Sequence, residues 1–150
     1  MEYNMKLSEL QDEWKKDCII DETNLGKAAA STPKLHAKYL NLLTSAKLQQ
    51  RKAESDYLKL RRVKYRYFRG ELTRDELQSL GWEQYQGIKP IKNEMDEFLQ
   101  TDEDLITSQD KLEYLRTVLF QLESILKSLN SRTWDIKNSI EWTKFTNGMM

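Results

Sequence analysis

The chain has 150 residues, 24 Lys plus Arg against 24 Asp plus Glu, 39% hydrophobic and 10% aromatic residues, and a mean hydropathy of −0.78. That is the size of one domain, too polar for a large private core and too aromatic for plain disorder, and two Pro with five Gly are too few for the turns of an all-β sandwich. No apolar run approaches the roughly 20 residues of a membrane span, the acidic stretch Met1 to Glu13 has no apolar core of a signal peptide, and one Cys excludes an internal disulfide framework and suits a reducing cytosol.

In chain order, residues 7–17 read as a short amphipathic helix that Ser8 could cap, with Leu7, Leu10 and Trp14 on one face. Residues 18–24 read as a connector and 25–31 as a further helical turn. Thr32-Pro33 signals a helix start, because Pro at the first helical position gives up only an amide without a partner there. The basic long helix then covers about 33–70, with a seam of Leu35, Tyr39, Leu42, Ala46, Gln49, Ala53, Tyr57, Leu60, Lys64 and Tyr67 at three- and four-residue steps, and Gly70 stops it.

A short helical insert follows at about 73–81, with a capping box at Thr73 to Glu76 and a Gly81 stop. Trp82 to Lys89 is a loop with Trp82 and Tyr85 as anchors. Pro90 opens a second long helix, about 90–130, seamed by Ile91, Met95, Phe98, Asp102, Leu105, Gln109, Leu112, Arg116, Leu119, Leu122, Leu126 and Leu129. Asn130-Ser131 is a candidate break before a last helix, Trp134 to Phe145. The fold class is therefore all-α: a single helical domain, 1–150, whose two long helices form an antiparallel hairpin with a short insert and short terminal helices. That core is thin, and the surplus apolar stripe at 112–146 points to self-association through Leu115, Leu119, Leu122, Leu126, Leu129, Trp134 and Ile140.

Zero net charge hides strong blocks. Residues 33–70 hold 11 bases and 2 acids, and residues 71–113 hold 4 bases and 12 acids. Six of the eleven residues from Lys59 to Arg69 are basic, and Lys52, Lys59, Arg62, Arg66 and Arg69 share one helix face with Tyr65 and Phe68 beside it. A row of cations tracks a phosphate backbone, and aromatic faces stack unpaired bases, so this combination suits single-stranded nucleic acid. The competing reading is a structural coiled-coil adaptor in which the basic block merely pairs with the acidic block at 94–113.

Catalytic and metal signatures are sparse. His36 is the sole His and reads as a surface or seam-flanking residue, and Cys18 reads as a small buried apolar residue. Neither GxxxxGK[ST] nor GxGxxG occurs, and Asp102-Glu103-Asp104 lacks EF-hand spacing, so no cofactor, metal site or enzyme activity is expected.

Three segments carry a family resemblance: Leu10 to Leu25, the basic–aromatic stretch ending Tyr67-Phe68-Arg69-Gly70 with Gly81-Trp82 beyond it, and Leu129 to Trp142. Together they resemble the UvsY-like recombination mediators of T-even-type bacteriophages, in the marine phage version. The resemblance implies single-stranded DNA binding and assembly into closed rings, hexamers or heptamers. It also implies helping a RecA-like recombinase displace the phage single-stranded-DNA-binding protein, in the cytoplasm of the infected bacterial host. The family's basic-x-basic pair matches Arg62 and Lys64. The expected DNA-binding set is Lys59, Arg61, Arg62, Lys64, Arg66 and Arg69 with Tyr65 and Phe68. Arg66, Arg69 and Thr133 depart from the family pattern; the two arginines raise the local charge, and Thr133 stands where a turn Gly is expected.

Overall fold

The computed structural model describes residues 3–148. They form five helices, α1 (Leu7–Asp17), α2 (Leu25–Phe68), α3 (Arg74–Leu80), α4 (Lys92–Gln100) and α5 (Glu103–Thr146), with no strand among the described residues. None of these helices is long and apolar enough to cross a membrane. The chain packs as two compact units. One takes the chain up to Gln49 and from Leu115 onward, and the other takes Gln50–Tyr114.

The helix boundaries differ from the periodicity reading at four points, each for a local reason. First, α1 begins at Leu7 with Lys6 rather than Ser8 at its cap, because the Glu9 carboxylate accepts from the Lys6 N–H at 3.0 Å. Second, α2 begins eight residues before Pro33. Asn24 caps it, accepting from the Lys27 N–H at 3.2 Å, and three alanines follow, so the helix runs through Pro33 despite the missing donor.

Third, the helix expected at 90–130 is two helices. Leu99 and Leu105 are both buried, yet six residues in one continuous helix would turn them roughly 240° apart. The break at Thr101-Asp102 resets the register, and the Asp102 carboxylate caps α5 by accepting from the Leu105 N–H at 3.1 Å. Fourth, α5 does not stop at Asn130-Ser131. Both residues sit on its exposed face, while Leu129, Arg132 and Ile136 carry the buried seam onward.

In the first unit, Tyr3, Leu10, Tyr39, Ala46, Val118, Leu119, Leu122, Ile125 and Leu129 form the core, and Trp14 meets the Tyr39 ring edge-on at 5.5 Å. Asp17 ties three helices together. Its carboxylate accepts from Lys38 Nζ at 2.6 Å and from the Tyr39 hydroxyl at 2.7 Å, and its carbonyl accepts from Arg132 Nη1 at 3.3 Å. Arg132, only 5% exposed, also donates to Thr32 Oγ1. Cys18, expected buried, is exposed at the end of α1.

In the second unit, Met95, Leu99 and Leu105 form a smaller core that Tyr57, Leu60, Tyr65 and Phe68 pack against. The insert is placed as its sequence predicts: Thr73 Oγ1 accepts from the Glu76 N–H, and Gly81 closes α3 at φ +71.

Leu122→Ala should cost about 2–5 kcal/mol in chemical denaturation, because a fully covered leucine leaves a cavity; a loss below that range would mean the first core is not closed. Burial pushes the Asp17 carboxyl upward, but hydrogen bonds from Lys38 and Tyr39 outweigh it and hold it below the ordinary range. Its contribution is therefore complete above the unfolded-state pKa and fades as pH falls through the lower folded value. Asp17→Asn should remove about 1 kcal/mol at neutral pH, after allowance for solvent screening, and flatten the acid limb of stability against pH.

Candidate nucleic-acid interface

The segment of α2 within the second unit carries the basic–aromatic stretch, and the structure divides its members into three groups. Arg51, Lys52, Lys59 and Arg62 are exposed, with no ion pair among the described residues. Lys52, Lys59 and Arg62 stand at seven- and three-residue steps, which puts them on one face over about 15 Å of helix. Leu58, 63% exposed, lies among them and adds apolar surface.

A second group, Arg61 and Arg66 half-buried and Arg69 exposed, is engaged. Arg61 reaches Asp96 at 3.5 Å, a long contact. The Arg66 guanidinium grips both Glu76 carboxylate oxygens, Nη1 to Oε2 at 2.9 Å and Nη2 to Oε1 at 3.0 Å. Arg69 Nε lies 3.0 Å from Glu71 Oε1, and its Nη1 donates to the Tyr65 hydroxyl at 3.4 Å. The hydrogen bond to Glu76 raises the Arg66 pKa and lowers that of Glu76, and the bond to Tyr65 raises that of Arg69.

The third group is drawn into the second unit, Lys64 buried and Tyr65 and Phe68 half-buried. Lys64 is 7% exposed and its ammonium lies 2.7 Å from Asp104 Oδ2, 3.2 Å from Asp102 Oδ1 and 4.4 Å from the centroid of the Trp82 ring. Burial opposes its charge, but hydrogen bonds to Asp104 and Asp102 outweigh that and raise its pKa. Lys64 was expected both in the helix seam and on the DNA face; the seam position holds. Phe68, expected beside the basic face, packs edge-on against Tyr85 at 5.2 Å and Phe98 at 5.6 Å. Tyr65 is half-buried against the same core.

The rest of the aromatic cluster holds the loop between α3 and α4. Tyr67 meets Trp82 and Tyr85 at 5.2 and 5.7 Å and donates its hydroxyl proton to the Glu83 carbonyl at 2.7 Å. Glu71 and Glu76, the partners of Arg69 and Arg66, escaped the sequence reading. Glu76 was assigned to a capping box alone, and nothing in its spacing reveals that its side chain turns to α2. The acidic run at 102–104 also acquires a structural role: Asp102 caps α5, and Glu103 and Asp104 lie in its first turn, where the helix dipole favours acids. Among the described residues, no group of three or more His, Cys, Asp or Glu could hold a metal ion.

Comparison with known proteins bears on the fold and the family. The chain is 29% identical over 144 residues to the recombination protein UvsY of Enterobacteria phage T4, covering 96% of this chain and 99% of the relative. It superposes on a crystal structure of the bacteriophage T4 recombination mediator protein UvsY (lattice type II) with a TM-score of 0.82 at 28% identity, over 96% of this chain and 99% of that one. A second lattice, type IV, gives a TM-score of 0.79 at 27% identity over 95% and 99%. The family model described as recombination, repair and ssDNA binding protein UvsY matches residues 13–149, and the chain therefore belongs to the UvsY family of recombination mediators.

Proposed function

We propose that this mediator holds single-stranded DNA along the exposed face of α2, with Lys59 and Arg62 as its main phosphate contacts and Lys52 and Arg51 extending the row. The observation that carries this reading is that these four cations are exposed without ion pairs, in a member of a single-stranded-DNA-binding family. Arg61 joins them readily, because its contact to Asp96 is long. Lys64 supports the face from beneath: its ion pairs fix α2 against the start of α5.

A few phosphate contacts per chain bind weakly, so the reading includes assembly. The leucines expected at the interface are largely used within one chain: Leu115, Leu119, Leu122 and Leu129 are all buried, and Leu126 packs on the first core. The apolar surface left for a second copy lies further along α5, in Trp134, Ile140, Trp142 and Phe145, with Phe120 nearer its middle. Trp142 and Phe145 stack on each other at 5.7 Å and are each 66% exposed. A closed ring of six or seven copies would bury this stripe and repeat the cationic face, making separate weak contacts avid. Holding the strand in this way lowers its hold on a competing single-strand binder and offers it to a RecA-like recombinase. The setting is the cytoplasm of the infected bacterial host.

Lys59→Ala/Arg62→Ala should weaken oligo-dT binding and flatten the dependence of log K on log salt by about 1.4, roughly 0.7 for each lost contact. Lys64→Ala should leave that slope almost unchanged while costing on the order of 3 kcal/mol of stability, because it strands Asp102 beside α2. A lower slope with unaltered stability in Lys64→Ala would put its ammonium on the strand after all. For assembly, Trp142→Ala/Phe145→Ala should reduce the mass seen by light scattering at micromolar concentration, and an undiminished mass would place the contact elsewhere.

A further inference from the structure

The cations of α2 fall into a free half and an occupied half. Lys59 and Arg62 are exposed without ion pairs, whereas Arg66 and Arg69, further along the same face at four- and seven-residue steps from Arg62, are both held by carboxylates. Those carboxylates come from one short stretch that follows directly on α2. Glu71 lies just past Gly70, whose φ of +70 turns the chain back, and Glu76 lies in the first turn of α3, where its own N–H is held by Thr73. The Arg66–Glu76 contact is a two-pronged fork, the geometry with which a guanidinium also takes a phosphate. Both pairs remain open to water: the side chains of Arg66 and Glu76 are 36% and 37% exposed, and those of Arg69 and Glu71 are 50% and 45% exposed. Exposed pairs of this kind are weak and exchange partners readily.

We infer that Glu71 and Glu76 act as built-in competitors of the DNA backbone, occupying two phosphate positions at Arg66 and Arg69 that a strand takes over only by displacing them. The inference rests on the reading of α2 as the strand-binding face. Its consequence is a graded grip. The Lys59–Arg62 half binds without competition, and the Arg66–Arg69 half adds contacts only when a strand is held long enough, or by enough neighbouring copies, to displace the carboxylates. A mediator that must hand its strand on gains from this, since the carboxylates return to Arg66 and Arg69 as the strand leaves.

The test is a cycle of variants of the full chain, titrated with labelled oligo-dT over a range of salt. Glu71→Gln/Glu76→Gln keeps side-chain reach and hydrogen bonding, so circular dichroism and Tm should stay near those of the unaltered chain. It should bind roughly two- to thirtyfold tighter, the combined strength of two exposed ion pairs, with a salt slope steeper by about 1.4. In the Arg66→Gln/Arg69→Gln background the same two Glu→Gln changes should give no gain. The same gain in that background would reduce the effect to general removal of negative charge and overturn the inference. Lys59→Ala/Arg62→Ala, measured alongside, separates the two levels. A flattened slope there with no gain from Glu71→Gln/Glu76→Gln overturns the competitor role alone, and an unchanged slope there overturns the strand-binding face with it.

Discussion

The Lys64 ammonium, enclosed by Asp102, Asp104 and the Trp82 ring, is the contact on which the second unit depends. A charge this buried is unfavourable unless every nearby group answers it. Asp102 does so with one oxygen while its other oxygen caps α5. The same carboxylate therefore decides where α5 begins, where α4 must already have ended, and how α2 lies against both. Trp82 covers the ammonium from the loop after α3. The cation thus also positions the insert, whose Glu76 reaches Arg66.

This arrangement explains how a chain of zero net charge can serve as a DNA binder. The basic block and the acidic block do meet, but only in part. Lys64 is neutralised inside the unit, Arg61 is touched by Asp96, and Arg66 and Arg69 are engaged by Glu76 and Glu71. Arg51, Lys52, Lys59 and Arg62 are exposed without ion pairs and keep their charge available to solvent. The adaptor reading required the basic block to be spent on the acidic block, and the ion pairs take up only some of its cations, leaving the others for the strand-binding face proposed above. Two carboxylates fit the same picture: Asp17 and Glu76 are each held below the usual range by a hydrogen bond from a cation, Lys38 and Arg66.

Much of the fold was legible because it follows from periodicity and end signals. The three- and four-residue seam of α2 names Tyr39, Ala46, Ala53 and Lys64, all buried, and Thr73 and Gly81 bound α3 as their side-chain and backbone chemistry demands. What stayed hidden depends on partners distant in sequence. Pro33 reads as a start because its lost donor is a local fact, whereas the pull of the helix on both sides of it is not. Asp102 reads as one more seam residue until Lys64 arrives opposite it. At the candidate site, spacing correctly put Lys59 and Arg62 outward. It could not separate them from Lys64, since a cation in a seam is disfavoured unless counterions await it, and those lie some forty residues away.

The same limit explains the displaced apolar stripe of α5. Periodicity shows that Leu115, Leu119, Leu122 and Leu129 lie on one face but not whether α1 and α2 can cover it. They do, with Leu10 and Tyr39 among the groups closing that core. The surplus then has to be sought where no helix of the same chain answers it, at Trp134, Trp142 and Phe145. Large aromatic side chains left two-thirds exposed on a long helix are unfavourable in water. In the assembly proposed above, a second copy would remove that cost and at the same time bring another row of unpaired cations into the particle. On that proposal assembly and strand binding are coupled through ordinary burial: what makes the single chain uncomfortable in water would multiply its hold on a polyanion.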